Sequence, residues 1–421
     1  MSEFAVPAVR ARAGRRLLWL LCAMYFLFYI DRVNIATAAT SISRDLGLNA
    51  TQLGLAFSAF AYPYAFFQVF GGWFGDHVGA RRTLLGCGIV VAATTIATGL
   101  AGGLASLFAV RLALGFGEGA AFPTATRAMA AWLPRESWGY AQGVTHSAAR
   151  LGNAITPPII SALILALSWR ASFVIVGTAS LAWVVAWMAL LPAGPDARAE
   201  RRAERAIQST PWPALFRRIL PVTAVDFCYG WMLWLFLNWL PSFFQNAYHQ
   251  NLKSSAIFSA GVFVGGVLGD TAGGVLSDAV LRRTGSRQRA RGWVIAGAML
   301  ASFVFMLPLL RPLGVGAAAI SLGLAFFALE FVVAPIWGVP MDIAPDHAGK
   351  ASGLMNLGFG IAGIVSPVVV GAIIDATGDW TLPFLLSMVL LLLGAALALR
   401  LRPDRPLEAA GLARTQPSPL A

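Results

Sequence analysis

The sequence predicts an all-α polytopic membrane protein with twelve transmembrane helices in two pseudo-symmetric six-helix bundles, and three observations lead there. Hydrophobic residues make up 58% of the 421 and charged residues only 12%, against roughly 25% charged in globular domains. Apolar stretches of about 20 residues, enough to cross a bilayer as helix, recur along the chain. The second half also echoes the first. Gly71-Gly72-Trp73-Phe74-Gly75-Asp76 returns as Gly273-Gly274-Val275-Leu276-Ser277-Asp278, 202 positions later, and Trp169-Arg170-Ala171-Ser172-Phe173 is matched by Trp380-Thr381-Leu382-Pro383-Phe384. Duplicated bundles of this kind rock about a site near the bilayer midplane in secondary transporters.

Taken in order, the predicted spans are residues 17–40, 53–75, 83–103, 105–131, 140–167, 171–192, 219–244, 255–277, 292–310, 313–340, 349–374 and 381–401. The first begins behind a basic segment, Arg10 to Arg16, that imitates a signal peptide. Asp31-Arg32 interrupts its apolar run before any cleavage-like site, so it reads as a retained span. After span six the stretch from Pro192 to Pro211, rich in Ala, Arg and Glu, reads as a linker with some helical character. Span seven starts at Ile219, 202 positions after Leu17. In span eight Gly261, Gly265, Gly269 and Gly273 repeat every four residues, which lets a neighbouring helix come close. The predicted organisation is an N-terminal tail 1–16, a bundle 17–192, a linker 193–216, a second bundle 217–401 and a C-terminal tail 402–421. Basic residues concentrate in the tails and alternate connections, whereas the opposite connections carry only Arg44, Arg170, Lys253 and Arg311. The positive-inside rule then puts both termini in the cytoplasm.

The formal charge of +12 flanks the spans, where it sets orientation, so it is not read as a nucleic-acid footprint. Cys22, Cys87 and Cys228 lie in apolar stretches and are odd in number, which implies packing and neither a disulfide framework nor a metal set. Metalloprotease, phosphate-loop and nucleophile-elbow patterns are missing and no loop could hold a catalytic domain, so neither an enzyme nor a cofactor is expected. Asn49-Ala50-Thr51 fits a glycosylation sequon, a match too frequent to carry weight.

Polar groups inside the spans carry the functional reading. A charge at bilayer depth costs roughly 2.5–3.5 kcal/mol on insertion scales and is kept mainly where it faces a polar cavity. Asp31 and Arg32 are adjacent, so their side chains point about 100° apart around a helix and cannot face each other. Tyr29 shares Arg32's face, and a guanidinium offers a bidentate fork to a carboxylate, so Arg32 is the predicted anion anchor. Arg111 and Glu118 lie two turns apart, about 10 Å along one helix, too far for an intrahelical pair. Arg150 is read either as a second substrate cation or as the counter-charge to an acid on another helix. His146, one turn earlier, is more ordinarily a satisfied hydrogen-bonder than a relay. Asp270, two turns before Asp278, is assigned to the cytoplasmic gate, while Asp226 and Glu330 are left to pair with membrane arginines or face the cavity.

The chain resembles the major facilitator superfamily at the loop Gly72-Trp73-Phe74-Gly75-Asp76-His77-Val78-Gly79-Ala80-Arg81-Arg82 and at Arg111-x-x-x-Gly115-x-x-Glu118. Within it, the chain is similar to anion:cation symporters such as sialin and bacterial sugar-acid permeases. The residues that carry this are Tyr29-Ile30-Asp31-Arg32-Val33-Asn34, Ser58-Ala59-Phe60-Ala61-Tyr62-Pro63-Tyr64, Trp239-Leu240-Pro241-Ser242-Phe243, Trp337-Gly338-Val339-Pro340-Met341-Asp342-Ile343-Ala344-Pro345 and Ser352-Gly353-Leu354-Met355-Asn356. The resemblance implies substrate contacts from Tyr29, Arg32, Tyr64, Trp337 and Asn356, to which this chain adds Arg150 as a candidate, and proton coupling through Asp31 and Glu118 with Arg111 as their partner. It also implies gating by Asp76, Arg81, Arg82 and Asp278. His77 and Ala80 replace the family's commoner Arg, which weakens the loop's latch, and Ala149 stands where related symporters carry an amide. The implied activity is proton-coupled uptake of a small organic anion by a functional monomer of the bacterial inner membrane, without metal. A drug:proton antiporter is the alternative. The run Gly152-Asn153-Ala154-Ile155-Thr156-Pro157-Pro158 differs from the Gly-Pro-rich fifth span of such antiporters.

Overall fold

A computed structural model of the chain describes residues 5–134, 137–191 and 211–407, with side chains described there except at 5–12, 68–77, 130, 138, 139 and 346. Residues 193–210 of the predicted linker, the C-terminal tail beyond 407 and the Asp76 side chain lie outside these, and residues 212–216 of that linker are already helical. The described residues form helices α1 (Ala5–Leu46), α2 (Ala50–Val78), α3 (Ala80–Gly99), α4 (Leu104–Trp132), α5 (Trp138–Ala166), α6 (Trp169–Leu190), α7 (Trp212–Asn246), α8 (Leu252–Thr284), α9 (Arg289–Leu310), α10 (Val315–Ile343), α11 (Ala348–Thr377) and α12 (Leu382–Leu399). There is no strand among them. Eleven of them are long and apolar enough over their described residues to cross a membrane, and α2, whose side chains at 68–77 are not described, is 29 residues long.

Helices α1 to α6 pack mainly among themselves, as do α7 to α12, and the halves meet where α2 lies on α11, α5 on α8 and α1 on α7. The start of α1 and the residues that follow α12 lie at one end of the bundle, here the terminal end; the α1–α2 and α11–α12 connections mark the far end. Left-handed glycines stop two helices: Gly285 ends α8 and Gly378 ends α11 with φ near +66° and +68°, the conformation that glycine adopts without a Cβ penalty.

Small residues set the closest approaches. A Cβ on Gly115 of α4 would stand 2.1 Å from the Phe60 carbonyl of α2, and one on Gly152 of α5 would stand 2.7 Å from the Phe26 carbonyl of α1. In α8, a Cβ on Gly269 or Gly273 would lie 2.1 Å and 2.5 Å from α10 backbone at Phe327 and Phe331, whereas Gly261 faces open space. The four-residue repeat is therefore a seam for α10 along most of its length.

Two predicted spans change shape. Span one becomes a 42-residue helix. Span ten is not continuous: α10 breaks at Phe331 and Val332, whose N–H groups bond back to Ala328 and Leu329 in three-residue steps. Cys22, Cys87 and Cys228 are buried and unbridged, as packing residues are.

Candidate functional site

Helix α1 carries Tyr29, Asp31 and Arg32, all on its middle turns, and the glycines of α4 and α5 draw those helices in around them. Arg32 is 4% exposed and Glu118 fully buried, with Arg32 Nε donating to Glu118 Oε2 at 2.6 Å. Four rings enclose the guanidinium: Tyr64 at 4.5 Å, Tyr29 at 4.8 Å, and Phe60 and Phe122 at 5.1 Å from their centroids. Desolvated cation–π contacts of this kind are worth about 2 kcal/mol or more. Glu118 therefore turns from Arg111 on its own helix to Arg32 on α1.

Asp31 is 1% exposed and neither of its carboxylate oxygens has a hydrogen-bond partner. Around it stand Glu118, Arg111 and Thr95 of α3. Arg111 is 2% exposed, lies 5.1 Å over the Phe60 ring, and leaves Nε and Nη1 without partners. Arg32 Nη2 and Glu118 Oε1 are likewise unpartnered. Buried polar atoms without partners are costly, and here they cluster around one ion pair.

Arg150 belongs to a second cluster that joins the two halves. Its Nη2 lies 2.8 Å from Glu330 Oε2 and its Nε donates to Asp270 Oδ2 at 3.2 Å. Tyr229 of α7 donates to Glu330 Oε1 at 3.4 Å. The counter-charge reading of Arg150 is thus realised on α8 and α10. Asp270, expected in the cytoplasmic gate, here faces Arg150 of α5, two turns before Asp278. Asp226 receives the Phe359 N–H of α11 at 3.2 Å.

Of the remaining predicted contacts, Tyr64 joins the Arg32 cage, Asn356 is nine-tenths buried on α11, and Trp337 is 40% exposed with no hydrogen bond or ring contact to the cage. An aromatic run, Tyr64, Phe60, Trp234, Phe359 and Tyr229, leads from one ion-pair cluster to the other through ring distances of 5.1, 6.1, 5.3 and 6.3 Å.

At the terminal end Arg81 donates to the Leu191 carbonyl at the end of α6, and Arg82 is exposed. Asp278 stands 3.9 Å from Arg291. Arg291 is bound more closely by Asp342 of α10, at 3.1 Å, and by the Ser277 hydroxyl at 2.6 Å, while Arg287 lies 3.5 Å from Asp342. Sequence reasoning missed Asp342 as an ion-pair partner although it sits inside a quoted motif. At the far end Asp375 of α11 accepts from Ala50 N at 3.0 Å, Thr51 N at 2.7 Å and the Thr51 hydroxyl at 2.6 Å.

Comparison with known proteins places this geometry. The family model of the Major Facilitator Superfamily matches residues 21–367 and 341–421. The chain belongs to that superfamily. It is 44% identical to the probable sulfoacetate transporter SauU of Cupriavidus necator, over 96% of this chain and 98% of that one. The hexuronate transporter of Bacillus subtilis is 31% identical over 85% of this chain and 87% of its own, and the D-galactonate transporter of Escherichia coli 27% identical over 89% and 93%. The resemblance to sugar-acid permeases thus holds. Among solved structures, an inward-facing bacterial homologue of the lysosomal transporter Spinster superposes with a TM-score of 0.77 at 17% identity, covering 94% of this chain and 99% of that one. The D-xylose–proton symporter gives 0.77 at 14% identity, covering 93% and 99%. Both share the fold. The protein is a membrane transporter of the major facilitator fold, and not an enzyme.

Proposed function

We propose that the protein takes up a small organic anion together with protons by alternating access, its two six-helix halves rocking about the Arg32 cluster. The observation that carries the reading is the Arg32–Glu118 pair, a guanidinium enclosed by four rings and held by one carboxylate. An anionic substrate group competes with Glu118 for the same fork. Once displaced, a buried carboxylate without its cation is too costly to stay charged and takes up a proton. Asp31, already without a partner, offers a second resting place. Anion and proton uptake are coupled because both are readings of one ion pair.

Tyr29, Tyr64 and Asn356 would orient the rest of the substrate, with Trp337 entering from α10 in another conformation. The basic tails and connections of the terminal end favour its cytoplasmic placement, with both termini inside and the protein a functional monomer in a bacterial inner membrane. Arg81, Arg82, Asp76 and Asp278 would work at this cytoplasmic end, joined by Asp342 and Arg291. A relative named for sulfoacetate and others named for sugar acids support a substrate with a carboxylate, a sulfonate or both.

The test is Glu118→Gln in proteoliposomes, with sulfoacetate and D-galactonate as probes. Proton-driven accumulation is expected to be lost while substrate counterflow persists, since exchange needs the moving site but no net proton release. Undiminished accumulation by this variant removes Glu118 from the proton path. Efflux against a proton influx would instead favour an antiporter.

A further inference from the structure

The second ion-pair cluster repeats the chemistry of the first. Glu330 is fully buried, its cation comes from the other half of the molecule, and Tyr229 supplies one further hydrogen bond. It also ends the first part of α10, directly before the break at Phe331 and Val332. Gly269 and Gly273 of α8 press on the backbone at this break, and a Cβ on Gly269 would stand 3.1 Å from Glu330 Cβ. The carboxylate therefore has little room to move while Arg150 holds it. The groups facing it are Arg150 of α5, Asp270 of α8 and Tyr229 of α7, with His146 of α5 beside Arg150 and Asp270.

Tyr29 lies 4.8 Å from the Arg32 guanidinium and within electrostatic reach of Arg150, and the aromatic run leads from one cluster to the other. An anion on Arg32 with a second anionic group thus has Arg150 as the other cation within the same aromatic wall. We propose that Glu330 is a further proton-coupling residue, used when the substrate is a dianion whose second charge takes its place on Arg150. The inference rests on the anion uptake proposed above and names its preferred class: short dianions.

The balance is simple. The substrate's second group replaces the Glu330 carboxylate at Arg150, and one proton passes from water to a Glu330 oxygen. No covalent bond of the anion changes and the guanidinium keeps its charge. A monoanion that enters with protons on Asp31 and Glu118 moves one net positive charge. A dianion that adds a proton on Glu330 also moves one. The charge per cycle stays constant while the proton number rises by one.

The experiment measures the affinity of the purified full-length protein for sulfoacetate, a dianion, and D-galactonate, a monoanion, across pH 5 to 8. The slope of log Kd against pH counts the protons taken up on binding. In the wild type the sulfoacetate slope is expected to exceed the galactonate slope by one proton, and Glu330→Gln should erase that difference. In proteoliposomes sulfoacetate uptake by Glu330→Gln should become insensitive to an imposed potential. Arg150→Gln should reduce the selectivity for sulfoacetate over galactonate by tenfold or more, a ratio that partial misfolding would not change. A slope difference that survives in Glu330→Gln, or an unaltered ratio in Arg150→Gln, overturns the inference alone. Wild-type binding of both anions without any proton dependence overturns the uptake mechanism and this inference with it.

Discussion

Arg32 is held by one carboxylate and four aromatic faces, and the two kinds of contact answer to different substitutions. Arg32→Lys keeps the charge but loses the planar fork and its stacking. It is expected to weaken anion binding at least several-fold, and Arg32→Ala to abolish it; near-native affinity in both, measured by thermal shift against a panel of organic acids, would remove Arg32 from the binding site. Arg32 and Glu118 could be named from sequence because a charge in an apolar run is conspicuous. Their pairing could not. Glu118 shares a helix with Arg111, and only the close approach of α4 to α2 at Gly115 decides which guanidinium it meets. Phe60 and Phe122 were invisible for the opposite reason, since a phenylalanine in a membrane span carries no signal until a cation is found beside it. Gly115→Ala tests this packing. Its Cβ would overlap the Phe60 carbonyl, so the helices must separate, at a cost of about 1–3 kcal/mol or more. A thermal midpoint several degrees lower together with weakened anion binding is the expected result, and an unchanged protein would mean that α2 and α4 adjust freely.

The start of α2 shows how one element answers to both halves. Asn49 caps it from within its own chain segment, accepting from Gln52 N at 2.8 Å while Gln52 returns the bond. The next two free donors, Ala50 N and Thr51 N, are satisfied by Asp375 at the end of α11. Here Asn49-Ala50-Thr51, which reads as a glycosylation sequon, serves as a helix start. Gly54 and Gly371 bring the helices close enough for the contact: a Cβ on either would stand 2.2 Å or 2.3 Å from backbone across the seam. The second half thus completes the cap of α2 in the first, and the contact must open whenever the far end does. Asp375→Ala leaves two N–H groups to water, a loss of about 1 kcal/mol on the scale of helix caps. That corresponds to a roughly fivefold shift toward the state open at the far end. A cysteine placed at the far end of α2 should label correspondingly faster in the variant, and equal labelling rates would show that the contact does not hold that end shut. The break in α10 has a signal that the reading of spans passes over: Pro335, four residues after Phe331, has no N–H for the Phe331 carbonyl and its ring crowds that oxygen. The interruption coincides with the glycine seam of α8.

Across the whole molecule, hydrogen bonds and ion pairs that join the two halves include those of Asp375 at the far end and those of Arg150 near the middle; the terminal-end pairs of Arg81 and Arg291 stay within their own halves. The membrane potential then acts on whatever net charge crosses with the substrate. Each charge moved is worth about 2.3 kcal/mol per 100 mV, which is roughly fifty-fold in the accumulation ratio. With protons on Asp31 and Glu118, a monoanion crosses as a net cation and an inside-negative potential should drive its accumulation by about that factor. Proteoliposomes clamped by a potassium gradient and valinomycin measure it directly. With the pH held equal on both sides, wild-type galactonate uptake that ignores the imposed potential would rule out two protons per monoanion. A single proton on Glu118 would then suffice, leaving Asp31 as a fixed neutral neighbour of the Arg32 pair.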